Sequence, residues 1–448
     1  MAERKDKEKG TRWPRQFRTG IDIPYWKGLN RDYDAGAISD TELQDAINIR
    51  LIGGRIDCRG GQEKLNATPM DGCVWSMDDL PLPTVGLFLA HIDGATYSLD
   101  RYNLDLDPDY QGAYPSASSP NLDEHQPFGN ATKPRQVLAV WRNKLLAANT
   151  TNDTIHEVVL PKEGTIGDIA FRPLVTVAQI SSMTVVPEGG ESILYIGSTD
   201  NNEVYRYDGT WLSTDGAIGS NSERMIVGRF HDLLYIFGTQ YALVRQPGAP
   251  LVNGLPAPGT YANIPMAAGV TTFRPSAMCE FGQELVIAGL DAAISPALGA
   301  PGPGCLLIYD GSTMTLARQP NDGGGVGVYR PARGISDVFL WNGKVWYLWR
   351  EAGTDPNTWI GSYDGSTWND TVASLGTTQS GSANTGDLLT ANGLLYATTI
   401  RDETPTGLTN SSVLLSSTDG VTWTLVEDIT DFSGASNVTV PANMVVFG

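Results

Sequence analysis

The sequence predicts an all-β chain built as a β-propeller, and three observations carry that prediction. The first is a short apolar strand that recurs at residues 145–149, 193–197, 233–238, 285–289, 345–349 and 394–399, with a weaker copy at 95–99 after the turn Asp93-Gly94. Equivalent positions Tyr97, Ala147, Tyr195, Tyr235, Ile287, Tyr347 and Tyr396 lie at steps of 50, 48, 40, 52, 60 and 49 residues. A period of that size is one supersecondary unit repeated, each copy burying its faces against its neighbours. The second is a hairpin corner, Asp-Gly followed by Ser, Thr or Val, that recurs within those units. The third is composition: 50 Gly and 27 Pro in 448 residues, with 18% charged side chains, suit a turn-dense chain rather than a helical one.

The sixth copy shows the unit most clearly. Residues 338–341 and 344–349 flank Asn342-Gly343, a pair fitted to a type I′ turn because both central residues need positive φ. Residues 359–363 then reach Asp364-Gly365-Ser366-Thr367, and the chain restarts at Trp368. The same corner stands at Asp208-Gly209-Thr210-Trp211, Asp310-Gly311-Ser312-Thr313 and Asp419-Gly420-Val421-Thr422. In each, the Asp side chain is placed to cap its own turn and the Gly to supply positive φ. Two hairpins make four antiparallel strands, and sheets of that size packed radially make a propeller. Seven blades fit the count; six or eight remain open because the first copy is degenerate. Copy four is irregular, its second hairpin giving way to a Pro/Gly-rich excursion at 246–265. At the C-terminus, residues 437–447 alternate around Pro441 and are expected to pair into the sheet of 85–99, closing the ring. The propeller is thus expected over 68–448.

Two segments precede it. Residues 1–27 form an arm, of which 1–18 carry seven Lys/Arg against three Asp/Glu on a chain of net charge −19. Aromatic residues alternate with that basic charge, and exposed aromatics in a tail call for a partner to cover them. Arg12, Trp13, Arg15, Phe17, Arg18, Tyr25 and Trp26 are therefore expected to dock on another subunit. Residues 28–67 are expected to hold a short helix and a hairpin. Ser39-Asp40-Thr41-Glu42 is a capping-box pattern opening the helix over Leu43, Ala46 and Ile47. Residues 49–51 and 55–58 form the hairpin around Gly53-Gly54.

Charge and patterning limit the function classes. A protein that grips nucleic acid needs basic surface to neutralise phosphates, and an excess of nineteen negative charges argues against it. The same excess suits a passage through which duplex DNA must slide without sticking. No apolar run approaches the length of a membrane-spanning helix, and the charged residues 1–10 do not read as a secretory signal. The chain is expected to be made and assembled in a cytoplasm, with Cys58, Cys73, Cys279 and Cys305 reduced.

One segment carries a family resemblance. Gly28-Leu29-Asn30, then Asn48, Gly54, Arg59 and Gly61, stand in that order ahead of repeats containing Tyr-Asp-Gly corners. This order resembles the N-terminal module of propeller-type structural proteins in tailed bacteriophages. The resemblance covers about forty residues closely and the repeats only in outline. It implies a non-enzymatic virion component of the tail, nozzle or head-to-tail channel, assembled in the host cytoplasm. Copies of the chain would form a ring with other tail or connector proteins, and double-stranded DNA would pass without specific binding. The chain departs from the nozzle pattern in carrying one modest propeller and no evident platform domains.

Catalytic alternatives find less support. The corners at 208, 310, 364 and 419 are similar to the Asp-boxes of sialidase-like propellers, yet in those boxes the Asp is structural, and here Asp and Gly are adjacent. A sialidase also needs three arginines converging on a carboxylate, whereas Arg206, Arg224, Arg245, Arg274, Arg330, Arg333 and Arg350 are scattered. His91, His125, His156 and His231 fall in what read as separate repeats, without metal-type spacing. Asp100, Asp105, Asp107 and Asp109 could offer oxygens to calcium but lack the pattern of a calcium loop. Gly323–Gly327 lacks the Lys of a phosphate loop. No catalytic, cofactor or metal residues are expected. The main alternative is a receptor- or carbohydrate-binding propeller using loops 246–265 and 291–304 on one face. The tryptophans of copy six (Trp341, Trp346, Trp349, Trp359 and Trp368) would offer sugar-stacking surfaces, unless Trp346 and Trp368 pack between blades.

Overall fold

Strand polarity and burial explain how the repeats assemble. In the second strand of the third copy Ile193, Leu194, Tyr195 and Ile196 are all fully buried, so both faces of the strand are covered. Leu194 and Ile196 pack toward the preceding copy, while Ile193 and Tyr195 pack toward the next. A strand covered on both faces reads as a continuous apolar run rather than an alternation. That is why these strands were the visible signal.

The computed structural model describes residues 86–447 outside a set of connecting segments, the longest being 104–121, 131–135, 161–168, 218–224, 292–303, 321–331, 378–385, 404–408 and 430–439. Of the first 85 residues it describes the backbone of five short strands. The chain divides into two units, Met1–Leu82 and Pro83–Gly448.

The second unit holds seven four-stranded antiparallel sheets. Naming strands A to D outward, blade 2 is Leu138–Trp141, Lys144–Asn149, Thr154–Val159 and Ala170–Thr176. Blade 3 is Ile180–Glu188, Glu191–Ser198, Glu203–Tyr207 and Leu212–Ala217. Blade 4 is Met225–Phe230, Leu233–Gly238, Tyr241–Arg245 and Tyr261–Ile264. Blade 5 is Phe273–Phe281, Glu284–Asp291, Gly304–Tyr309 and Met314–Arg318. Blade 6 is Ala332–Trp341, Lys344–Glu351, Asn357–Tyr363 and Trp368–Thr377. Blade 7 is Leu388–Ala391, Leu394–Glu403, Thr409–Ser417 and Thr424–Ile429. Blade 1 takes its strand A from the C-terminus: Val440–Phe447 pairs antiparallel with Gly86–Asp93, followed by Thr96–Asn103 and Leu122–Asn130. The expected closure is present, and the protein is a seven-bladed β-propeller. Contacts between successive A strands run around the ring.

Three expectations need correction. Tyr97 lies in strand C of blade 1, whereas Ala147, Tyr195, Tyr235, Ile287, Tyr347 and Tyr396 lie in strand B. Because blade 1 borrows its first strand from the far end of the chain, Asp93-Gly94 is its B–C turn, and the first step of the repeat was counted one strand out of phase. The excursion after Arg245 does not dissolve blade 4. It forms a two-stranded ribbon, Leu251–Val252 with Leu255–Pro256, and returns as strand D. In the first unit the hairpin Ile49–Ile52 with Arg55–Cys58 forms around Gly53-Gly54 as expected, and Ile21–Asp22 adds a third strand. The capping box does not start a helix at its Glu: Glu42–Leu43 is a strand paired in parallel with Gly28–Leu29. Residues that hydrogen-bond their own backbone at a helix start do so equally in turns, so pairing to a neighbouring strand overrides the local pattern. Among the described residues no helix is long and apolar enough to cross a membrane.

The turn chemistry follows the sequence. Asn342 and Gly343 have φ of 49° and 70°, and Asn392 and Gly393 have 50° and 78°, as type I′ hairpins require. Strand alternation puts the A–B and C–D connections on one face and the B–C and blade-to-blade connections on the other. Excursion 246–260 is a C–D connection and 292–303 a B–C connection, so these two loops belong to opposite faces. They cannot form one binding rim together.

Candidate functional site

The corner residues stand on the outer hairpins of blades 3, 5, 6 and 7. In each, one carboxylate oxygen accepts two backbone amides at 2.7–2.9 Å: Thr210 and Trp211 on Asp208, Ser312 and Thr313 on Asp310, Ser366 and Thr367 on Asp364, Val421 and Thr422 on Asp419. The following Gly209, Gly311, Gly365 and Gly420 have φ of 100°, 91°, 95° and 75°. The amides of Thr422 and Val421 hold the Asp419 carboxyl down at about 2, and the same kind of bonding lowers Asp310 and Asp364. These residues shape turns. The arm residues Arg12, Trp13, Arg15, Phe17, Arg18, Tyr25 and Trp26 lie outside the residues whose side chains the structure describes.

Along the ring axis, short polar side chains on one inner strand reach the backbone of the next. Ser181 and Ser182 Oγ accept the Met225 and Val227 amides at 3.1 and 3.0 Å, and both donate to the Met225 carbonyl. Ser276 Oγ donates to the Ile335 carbonyl at 2.6 Å. Leu388 N donates to Asp337 at 2.6 Å, Met444 N donates to Asp387, and Leu138 N donates to Asn443 Oδ1 at 2.8 Å. Five of the seven seams are therefore stitched among the described residues, including both seams of the blade that the termini share. Burial raises the Asp337 carboxyl, and its neighbour Asp387 raises it further. Burial raises Asp387 itself to about 6.

A cavity of about 350 Å³ lies between inner strands of blades 1 to 5, with Gln136, Thr184, Arg229, Glu280 and Asn443 as its polar lining and Met183 and Met278 among its apolar lining. That volume is at the low end for small-ligand sites. It could admit a small molecule, and a DNA duplex could not pass through it.

Charged residues are committed within and between blades. Glu188 accepts Tyr195 OH at 2.5 Å, Arg206 at 3.2 Å and Arg245 at 3.0 Å. Arg245 also grips Asp215 through two bonds of 2.8 and 3.0 Å, and Tyr261 donates to the same carboxylate. Burial raises the Tyr195 and Tyr261 phenols, and their carboxylate partners raise them further. Arg318 binds Asp370 at 2.6 Å, and Tyr347 donates to that carboxylate at 2.7 Å. Of the arginines weighed for a sialidase-like triad, Arg206 and Arg245 meet, but on Glu188. Arg350 is buried in blade 6, and Arg274 is exposed on blade 5.

The tryptophans of blade 6 pack inward. Trp341, Trp346 and Trp349 are buried; Trp346 faces blade 7, and its indole leaves no room for a Cβ on Gly420. Trp368 stacks on Tyr363 at 4.0 Å and packs against the blade 5 side. Trp359 donates to Glu351 at 2.5 Å. Cys279 and Cys305 share blade 5 as free thiols, and burial raises the Cys305 thiol to about 12.

His156 and His231 lie in blades 2 and 4, but His91 and His125 contradict their reading as residents of separate repeats. His91 on strand B, Asp100 on strand C and His125 on strand D all belong to blade 1 and converge on the face toward blade 7. His91 Nε2 stands 3.0 Å from Asp100 Oδ2, His125 Nδ1 stands 2.6 Å from Asp100 Oδ1, and Tyr102 OH donates to Oδ2 at 3.0 Å. Asp100 is thus a buried strand residue and not part of an acidic loop; Asp105, Asp107 and Asp109 lie outside the described residues. Parity within strand C, where Ser98, Asp100 and Tyr102 share a face, was available in the sequence. The partner strands were not, because blade 1 had been counted out of phase.

No family model matches this chain, and no curated protein matches it. Among solved structures it is similar to a Bacteroides fragilis protein described provisionally as a 6-phosphogluconolactonase, at 11% identity and TM-score 0.48, over 81% of this chain and 98% of that one. A Bacteroides uniformis protein described in the same way matches at 13% identity and TM-score 0.46, over 81% and 99%. The SapL1 lectin, solved with α-methyl fucoside, matches at 12% identity and TM-score 0.38, over 66% and 97%. Likenesses this distant bring no activity to the present chain, and its class rests on its own seven sheets.

Proposed function

We propose that this chain is a non-enzymatic structural component of a tailed bacteriophage virion, a ring-forming tail, nozzle or head-to-tail channel protein. The observation that carries the reading is how the propeller uses its chemistry. Arg206, Arg245, Arg318, Glu188, Asp215 and Asp370 are paired with one another between strands and blades, and Trp341, Trp346 and Trp349 are interior packing. A hydrolase or lectin would turn such groups toward a ligand. Here they tie blades together, which is what a building part requires. The order Gly28-Leu29-Asn30, Asn48, Gly54, Arg59, Gly61 ahead of the blades adds the virion context, and the basic, aromatic arm on an acidic body supplies a means of docking on a neighbouring copy. In this reading DNA passes through a lumen between copies.

Electron microscopy and solution mass of the purified full chain test this reading. Closed rings that dissociate when residues 1–27 are removed are expected. A monomer that binds glycans on an array would replace it with the carbohydrate-binding alternative, and turnover of fluorogenic glycosides or lactones would replace it with an enzyme.

A further inference from the structure

We propose that His91, Asp100 and His125 form a binding site for a first-row divalent transition metal such as Zn²⁺, ligated through His91 Nε2, the Asp100 carboxylate and His125 Nδ1. The inference is independent of the virion reading.

The geometry comes first. The three donor atoms lie within 4.8 Å of one another and come from three adjacent strands of one sheet. Asp100 is directly paired with Leu89 and with His125, and His91 stands two residues from Leu89, so all three side chains share one face by register alone. Ladder hydrogen bonds hold the three backbones, so the donors are assembled before any ion arrives. Present spacings of 2.6 and 3.0 Å are hydrogen-bond distances. Ligand atoms about 2.0–2.2 Å from one ion sit slightly farther apart than this, a spread that small side-chain rotations provide.

The chemistry of the donors agrees. Two imidazoles and a carboxylate are a borderline set that suits zinc and its first-row neighbours rather than calcium or magnesium, which prefer oxygen alone. An outer partner is in place as well, since Tyr102 OH donates to Asp100 Oδ2 and would orient the ligand. Three protein ligands leave a position for water, and His125, with 8% of its side chain exposed, is the member nearest solvent.

Stripping the full chain with a chelator, adding excess Zn²⁺ or Co²⁺, and measuring bound metal after gel filtration tests the site. One equivalent per chain, a visible Co²⁺ spectrum of low coordination number and a raised melting temperature are expected. His125→Gln should weaken binding at least tenfold, whereas His156→Gln in blade 2 should leave it unchanged. A wild-type chain that retains no metal, or a folded H125Q that binds as well as wild type, overturns the proposal. Should H125Q fail to fold, the wild-type Co²⁺ adduct decides it by NMR. Two hyperfine-shifted imidazole NH signals support the site, and none or one overturns it.

Discussion

Blade 1 and blades 5 to 7 reach the same four-stranded sheet by different means. Blades 5, 6 and 7 are continuous in sequence, and each closes its outer hairpin with an Asp-Gly corner whose carboxylate caps two amides. Blade 1 joins residues 86–130 to residues 440–447 and carries a buried His91–Asp100–His125 cluster on its blade 7 face. In the continuous blades, local turn chemistry can set register before the ring exists. In blade 1, strand A arrives only when the last residues of the chain return, so the whole ring must be nearly complete first. The long closure carries an entropic cost that only non-local pairing offsets.

Removing the C-terminal strand breaks this contrast most severely. Deleting residues 437–448 exposes the paired edge of Gly86–Asp93 and uncovers Leu87 and Leu89, which are fully buried beside Met444. The outcome expected is loss of soluble, cooperatively melting protein, followed by circular dichroism and soluble yield. A truncated chain with unchanged melting temperature would mean that blade 1 is stable on three strands. A longer truncation inside the first unit, removing residues 1–20, should leave the melting of the propeller unaltered.

The same contrast explains what was legible in the sequence. Strand B of each continuous blade announced itself because both its faces are buried, as in Val345–Trp349, where Val345, Tyr347 and Trp349 pack one way and Trp346 and Leu348 the other. The corners were legible because Asp-Gly pairs encode their own turn. Blade 1 was misread by one strand because its register depends on a partner more than three hundred residues away, which no local period reveals. For that reason the sequence places His91 and His125 in different repeats, and their convergence on Asp100 is not legible in it. The short strand at Glu42–Leu43 failed differently: its local pattern favoured a helix, and pairing with Gly28–Leu29 decided otherwise.

The seams on either side of blade 7 give a pH test of intermediate size. Burial raises both Asp337 and Asp387, Asp387 to about 6, and Asp387 raises Asp337 further. A carboxyl raised in the folded state is easier to protonate there than in the unfolded chain. Its stabilisation is therefore present below the unfolded value near 4 and is lost as pH rises through about 6. Between pH 4 and pH 8 the wild-type chain should lose on the order of 2 kcal/mol through this pair. Asp387→Asn, which keeps an acceptor for the Met444 amide, should flatten that slope in urea titrations at stepped pH. An unchanged slope in the variant would assign the pH dependence to the general negative charge of the chain. The seams would then resemble those stitched by serine.

The corners themselves provide the finest discrimination, because Gly311 and Gly420 occupy the same turn position with different surroundings. Gly311 has φ of 91° and nothing within 4 Å of where a Cβ would sit. Gly420 has φ of 75°, and an added Cβ would fall 2.1 Å from the Trp346 indole of blade 6. Gly311→Ala should therefore show backbone strain alone, about 1 kcal/mol. Gly420→Ala adds the displacement of a buried tryptophan held by its own hydrogen bond to the Trp341 carbonyl, for a total of about 3 kcal/mol. Pairing Gly420→Ala with Trp346→Leu in a double-mutant cycle should recover much of the excess, since the second change removes the atoms that collide. If the two alanines cost the same and the cycle shows no coupling, the corner of blade 7 is set by its backbone alone, and blade 6 does not lean on it.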